Sequence, residues 1–289
     1  MPLRSLWSRL LLLGASALVM FTGCDSGAPH ARRELRTVDI PHVKEILRED
    51  LRRHIAGVAS AATRVRGGFA VEDAEAQERQ MRRALHLLQE PPHGVPEFIA
   101  SPMSFLCAVG TDGVVIARDA DPDTMKGSNF GEAYPVVHAA VTEGVAGHAL
   151  AEFPSLEEGG ESSFSMIFVA PVRHHGEVVG ALVAGIPLWR WAQRLSRQLR
   201  VEHAAEIENG LVLWVYLTKG DRLFHFDTSP ELDNVVPDAA TRRAALAERP
   251  NGYTGELQLY GRWYGYGYVP MPNIGEDVGM MLFRADAEE

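Results

Sequence analysis

Only two cysteines, Cys24 and Cys107, occur in the 289 residues, and no stretch is apolar for long. The run from Leu10 to Phe21 is about a dozen residues, short of the roughly 20 that a helix needs to cross a bilayer core. Lysines and arginines form no run that could dock on anionic headgroups, and the formal net charge is -10, which makes nucleic acid a poor partner. Histidines at the i, i+4 spacing of a zinc enzyme are missing, as are a Gly-x-Ser-x-Gly elbow, a phosphate-cradling glycine loop and a paired-carboxylate signature. These absences leave catalysis without a motif, so no enzyme, cofactor or metal is expected. Cys107 sits within the apolar segment Phe105 to Val109, where a thiol packs as a small hydrophobe; a buried inert cysteine is the reading, against a nucleophile.

What is present begins with a three-part export signal: Arg4 and Arg9, the apolar run, then Thr22-Gly23-Cys24. Phe21-Thr22-Gly23-Cys24 resembles the lipobox of bacterial lipoproteins, with Phe21 where leucine is usual. The resemblance implies that residues 1–23 are removed and that Cys24 carries lipid; simple cleavage is the alternative. A lipidated Cys24 would leave one thiol and no intrachain disulfide. Residues 24–37 are polar, with Gly27 and Pro29, and read as a flexible tether.

Residues 38–100 read as a helical stalk that packs on the C-terminal part of the chain. Val43, Leu47, Leu51, Ile55, Val58, Ala62 and Val65 recur at helical spacing, with Pro41 at a first-turn position and Gly67-Gly68 as the stop. A second amphipathic helix spans 71–89, ended by Pro91-Pro92. From residue 101 the period changes to strands. Two apolar runs flank Thr111-Asp112-Gly113, a hairpin signal; a helix over 130–143 and three strands within 147–186 come next. After a linking helix within 189–209, the same order returns over 210–285: a hairpin at Lys219-Gly220-Asp221, a helix over 237–248, then three strands. The fold class is therefore α+β, with two tandem modules of about five antiparallel strands and a helix, over 101–188 and 210–285, preceded by two long amphipathic helices.

Val109-Gly110-Thr111-Asp112-Gly113-Val114-Val115-Ile116-Ala117-Arg118, Met125-Lys126-Gly127, Val169-Ala170-Pro171-Val172 and Gly176-Glu177-Val178-Val179-Gly180-Ala181-Leu182-Val183 resemble the PAS-like extracytoplasmic sensor domains called Cache. With the looser second copy, the chain from Val38 to Arg284 is similar to a double Cache domain. The resemblance implies a pocket for a small molecule between sheet and overlying helix, typically an amino acid, carboxylate or amine. The Arg-x-Trp-Tyr arrangement of amino-acid-binding members is missing between Gly127 and Ser163, and Arg262-Trp263-Tyr264 stands instead where a strand of the second copy begins.

The candidate ligand contacts fall in both modules. Arg118, Asp119, Lys126 and Tyr134 border the pocket that the resemblance implies, and Phe168 lies on a strand of the same module. Asp119, Asp121 and Asp123 have the spacing that opens a calcium loop, but Thr124 and Phe130 stand where glycine and glutamate are needed, so a solvated turn is the simpler account. Alternation puts Tyr264, Tyr266 and Tyr268 on one strand face and Gly265 and Gly267 on the other, with Trp214 and Tyr216 able to join the rings. That is either a cross-strand aromatic ladder whose glycines admit a closely packed helix, or an aromatic pocket for an apolar or cationic ligand. His174-His175 are adjacent and make a poor chelate.

The resulting expectation is a protein of the cell envelope, lipid-anchored and facing periplasm or extracellular space. It would sense a small molecule and pass the signal to a membrane-embedded signalling or transport protein. The alternative is a structural or assembly lipoprotein that has lost its ligand, with an exported hydrolase third; a collapsed apolar interior in both modules, together with a large exposed apolar patch on the first two helices, would favour the assembly role.

Overall fold

The computed structural model describes residues 28–155, 159–226, 228 and 230–287; Cys24 and the expected leader lie outside them. A continuous helix of 43 residues comes first. It consists of α1 (Ala28–Glu34), a π-helical turn (Leu35–Asp39), α2 (Ile40–Val65) and a closing 3-10 turn (Arg66–Ala70). The residues from Ala28 to Thr37, expected as tether, are thus helical, and Pro41 lies inside the helix and not at its first turn. Both differences have local causes. Ala28, Ala31 and Leu35 are buried, which supplies the packing that their polar neighbours conceal in sequence. The Ile40 amide donates to the Leu35 carbonyl, five residues back, so the ladder is already widened just where proline brings no donor.

On α2 the buried positions Val43, Ile46, Leu47, Asp50, His54, Gly57, Val58, Ala61, Ala62 and Val65 recur every three or four residues, one apolar face along the helix. The chain continues as α3 (Ala74–Leu87), capped where Asp73 accepts from the Ala76 amide at 2.7 Å, and α4 (Pro96–Ala100).

Module one comprises β1 (Phe105–Val109), β2 (Val115–Arg118), α5 (Phe130–Ala133), α6 (Pro135–Thr142), β3 (Gly147–Phe153), β4 (Ser163–His174) and β5 (Glu177–Pro187). After α7 (Leu188–Glu202) and α8 (Ala204–Glu208), module two comprises β6 (Val212–Lys219), β7 (Arg222–Phe224), α9 (Ala239–Glu248), β8 (Tyr253–Leu259), β9 (Arg262–Pro270) and β10 (Val278–Ala285). The sheet orders are β2-β1-β5-β4-β3 and β7-β6-β10-β9-β8, the same topology twice, with every pairing antiparallel.

Each sheet has one face toward the helices. Leu106, Phe168, Leu182 and Ala184 of the first sheet, and Val215, Leu217, Met280 and Leu282 of the second, share one core with α2 and α7. Burying each such large side chain contributes about 1.5–3 kcal/mol, so this common core binds both modules to the long helix. Arg194 of α7 adds a bidentate pair to Asp50 of α2, both contacts at 2.6 Å. At the other end, α1 lies against β9 where a side chain would not fit. A Cβ on Gly265 would stand 2.5 Å from the Arg32 backbone nitrogen, and one on Gly267 would meet the Ile40 side-chain tip of α2 at 2.5 Å.

Candidate functional site

The sheet faces turned away from the long helix are covered by α5 and α6 in module one and by α9 in module two. The two coverings differ in chemistry. Under α6, Cys107, Val109, Ile167, Val169, Ala181 and Val183 pack against Val137, Ala140 and Val141. Burial pushes the Cys107 thiol up, which keeps it a neutral hydrophobe. Tyr134 stands at the edge of this cluster: its hydroxyl donates to the Glu152 carbonyl at 3.0 Å, and its ring lies 5.2 and 5.7 Å from Phe130 and Phe153.

Arg118, Asp119 and Lys126 are engaged in holding the loop after β2. Lys126 pairs with Glu78 of α3, Asp119 accepts from Gln89 at 3.0 Å, and the Arg118 guanidinium donates to Thr124 at 3.3 Å. Burial raises the Asp119 carboxyl above its usual range. Asp123 accepts from the backbone amides of Arg118, Met125 and Lys126 at 2.8, 3.0 and 2.9 Å, closing the loop on itself. Among the described residues no group of three or more His, Cys, Asp or Glu side chains could hold a metal ion. Phe168 is on the opposite face of its sheet from Tyr134, 5.1 Å from the His54 ring of α2, so the two do not meet in one pocket.

In module two the rings do converge. Trp214 of β6 stacks on Tyr264 of β9 at 5.2 Å and 18°. Phe283 of β10 stands between Tyr216 and Tyr266, at 5.7 and 6.1 Å. Tyr253, opposite Tyr268 in the β8–β9 register, lies 6.3 Å from Tyr266 and 5.7 Å from Tyr268. Two features break the ladder. The Tyr253 hydroxyl is buried without a hydrogen-bond partner among the described residues, and the buried Tyr216 hydroxyl has the Thr228 side chain beside it. Burial pushes both phenols up to about 12, so they stay neutral. Beside Tyr216, at 4.9 Å between rings, His225 contacts the Asp233 carboxylate at 3.1 Å. Sequence reasoning missed Tyr253, His225 and Asp233; a tyrosine at the head of the strand paired with the triple-tyrosine strand is the one signal that pointed there.

This face offers aromatic rings, neutral hydroxyls and a nearby carboxylate, which suit an apolar or cationic guest. Arg262 is not part of it: its guanidinium donates to the Gly210 and Ala285 carbonyls at 2.5 and 3.1 Å, tying strand ends together. No helix among the described residues is long and apolar enough to cross a membrane.

No protein-family model matches the chain, and no curated protein does. Solved structures do. The ligand-binding domain of the Campylobacter jejuni chemoreceptor Tlp3, in complex with 4-methylisoleucine and again with L-norvaline, superposes with a TM-score of 0.53 at 9% identity, over 89% of each chain. The sensor domain of the Vibrio cholerae histidine kinase DctB is 13% identical, over 90% of this chain and 97% of that one, with a TM-score of 0.46.

Proposed function

From the premise that the chain has the double Cache, PAS-like fold, we propose that it is a lipid-anchored extracytoplasmic binding protein that senses a small molecule and signals through a separate membrane protein. The observation that carries this reading is the aromatic face of module two, with the buried, unpartnered hydroxyl of Tyr253. An unpaired buried hydroxyl costs about 1–3 kcal/mol, a cost that a bound guest able to hydrogen-bond would remove. Trp214, Tyr216, Tyr264 and Tyr266 form the ring wall, and Asp233 supplies the negative charge; an organic amine fits both. The anchor is Cys24, and the site faces periplasm or extracellular space.

The test is a thermal-shift screen against amines, amino acids, carboxylates and purines. A saturating amine should raise the melting temperature, with a stabilisation of about 3 kcal/mol at a hundredfold excess over Kd. No shift from any compound would remove the sensing reading. The packed apolar interior under α6 favours the second reading, an assembly role through surfaces alone, and that reading requires the silent result.

A further inference from the structure

The long helix has a basic stripe that its sequence spaces every four residues: Arg32, Arg36, Lys44 and Arg48, with Ile40 between. An ideal α-helix would rotate such a series steadily off one face, but the π-helical turn Leu35–Asp39 lies within it. All five residues line one cavity of about 690 Å³ between the helix and module two, closed on the other side by Arg249 and Asn251. A neighbouring cavity of about 330 Å³ shares Lys44, Arg48, Asn251 and Val269 and is walled by Leu47, Leu51, Met271 and Ile274. No carboxylate lines either cavity.

Two of the five cations are engaged: Arg32 with Glu256 at 3.2 Å, and Arg48 with Glu45. Arg36, Lys44 and Arg249 line the groove with no ion-pair partner among the described residues. In a chain of net charge -10, a concave basic patch that keeps three cations free concentrates negative ligands. The greasy extension beside it gives such a ligand a second, apolar half.

We infer that this groove binds an anionic amphiphile, with a carboxylate or phosphate head on Arg36, Lys44 and Arg249 and an alkyl tail along Leu47, Leu51, Met271 and Ile274. The groove borders the aromatic face of module two at Tyr253 and Tyr268, but none of the residues assigned to head or tail belongs to that face, and the inference does not depend on that face having a ligand. The same head-and-tail chemistry comes from a free fatty acid or from a bilayer lipid, and the test separates them.

Binding of decanoate, decyl phosphate, decanol and inorganic phosphate is measured by titration calorimetry on the protein and on the R36E/R249E variant. Both positions are exposed, and circular dichroism melting verifies the fold; R249Q alone is the milder variant should the double one melt early. Decanoate and decyl phosphate should bind saturably and lose about tenfold or more in affinity in the double variant, the size of one lost charge-assisted hydrogen bond. Decanol and inorganic phosphate, each lacking one half, should bind at least about tenfold more weakly than decyl phosphate. Association with phosphatidylglycerol vesicles that decanoate displaces assigns the ligand to the bilayer, whereas saturable decanoate binding without vesicle association assigns it to free amphiphile. Equal decanoate affinity in both proteins, inorganic phosphate as tight as decyl phosphate, or no saturable binding overturns the inference.

Discussion

Arg284 on β10 and Asp39 in the π-helical turn form a buried ion pair, Nη1 to Oδ2 at 3.2 Å, across 245 residues of sequence. It fastens the last strand of module two to the first helix of the fold, and Asp286 at 2.8 Å steadies the guanidinium. Removing the cation alone leaves the buried carboxylate with only His203, at 3.8 Å, as a basic neighbour among the described residues. Arg284→Met should therefore cost about 3–5 kcal/mol in urea unfolding, and adding Asp39→Leu should recover much of that loss. A single variant within experimental error of the parent would mean the pair contributes nothing.

His54 gives the fold a pH dependence of predictable sign. It is fully buried, with Nε2 3.3 Å from the Ser101 hydroxyl, and burial lowers its pKa from 6.5 to about 4 despite the nearby Asp50 carboxylate; Arg194 and Arg53 lower it further. Between these two values the unfolded chain holds more protons than the folded one. The associated stability is thus complete above pH 6.5 and declines as pH falls toward 4, by about 3 kcal/mol in all. His54→Leu should flatten that segment of a stability-versus-pH curve; equal slopes for both proteins would discount the histidine.

Gly265 marks where α1 touches the sheet. Gly265→Ala should force the helix off β9 and destabilise the protein by about 1–3 kcal/mol, with amide exchange accelerating first in residues 28–34. Unchanged exchange there would show that the helix can shift without cost.

The unpaired phenol of Tyr253 sets stability against binding. Without ligand, Tyr253→Phe should melt higher than the parent, by about 1 kcal/mol or more, because the orphaned hydroxyl is gone. The same change should weaken whichever amine stabilises the parent, as should Trp214→Ala. A ligand bound equally well by all three proteins would place the site elsewhere.

Cys24 lies outside the described residues, and its role is tested in cells. Cys24→Ser should abolish incorporation of labelled palmitate and release the protein from the membrane fraction; persistent labelling would refute lipidation at this position.

Much of the fold was legible because strands announce themselves by turn chemistry. Asp112-Gly113 and Gly220-Asp221 marked both hairpins, and the duplicated order of elements gave the two modules. Parity was less readable. β4 is buried on both faces from Ser165 to Ala170, so alternation could not say that Phe168 faces the helices. The opposite happened on β9, where tyrosines and glycines differ so sharply in size that the face of each was plain, and the glycines do admit a helix. What escaped entirely were pairings set by distant chain: α3 gripping Lys126 through Glu78, Asp233 beside His225, and the burial of Ala28 and Ala31 that makes helix of an apparent tether. The stripe from Arg32 to Arg48 escaped as well, because its first half reads as tether and only the π-helical turn and the position of Arg249 turn it into a groove.

The 43-residue helix has a mechanical meaning. At 1.5 Å per residue it is a beam about 65 Å long, resting on β9 at one end and on β4 and β5 at the other. A beam clamped twice transmits tilt: whatever lifts one cradle by a fraction of an ångström loads the other through the π-helical turn between them. The two cradles therefore cannot relax independently, and a disturbance in either arrives at the opposite end as torque.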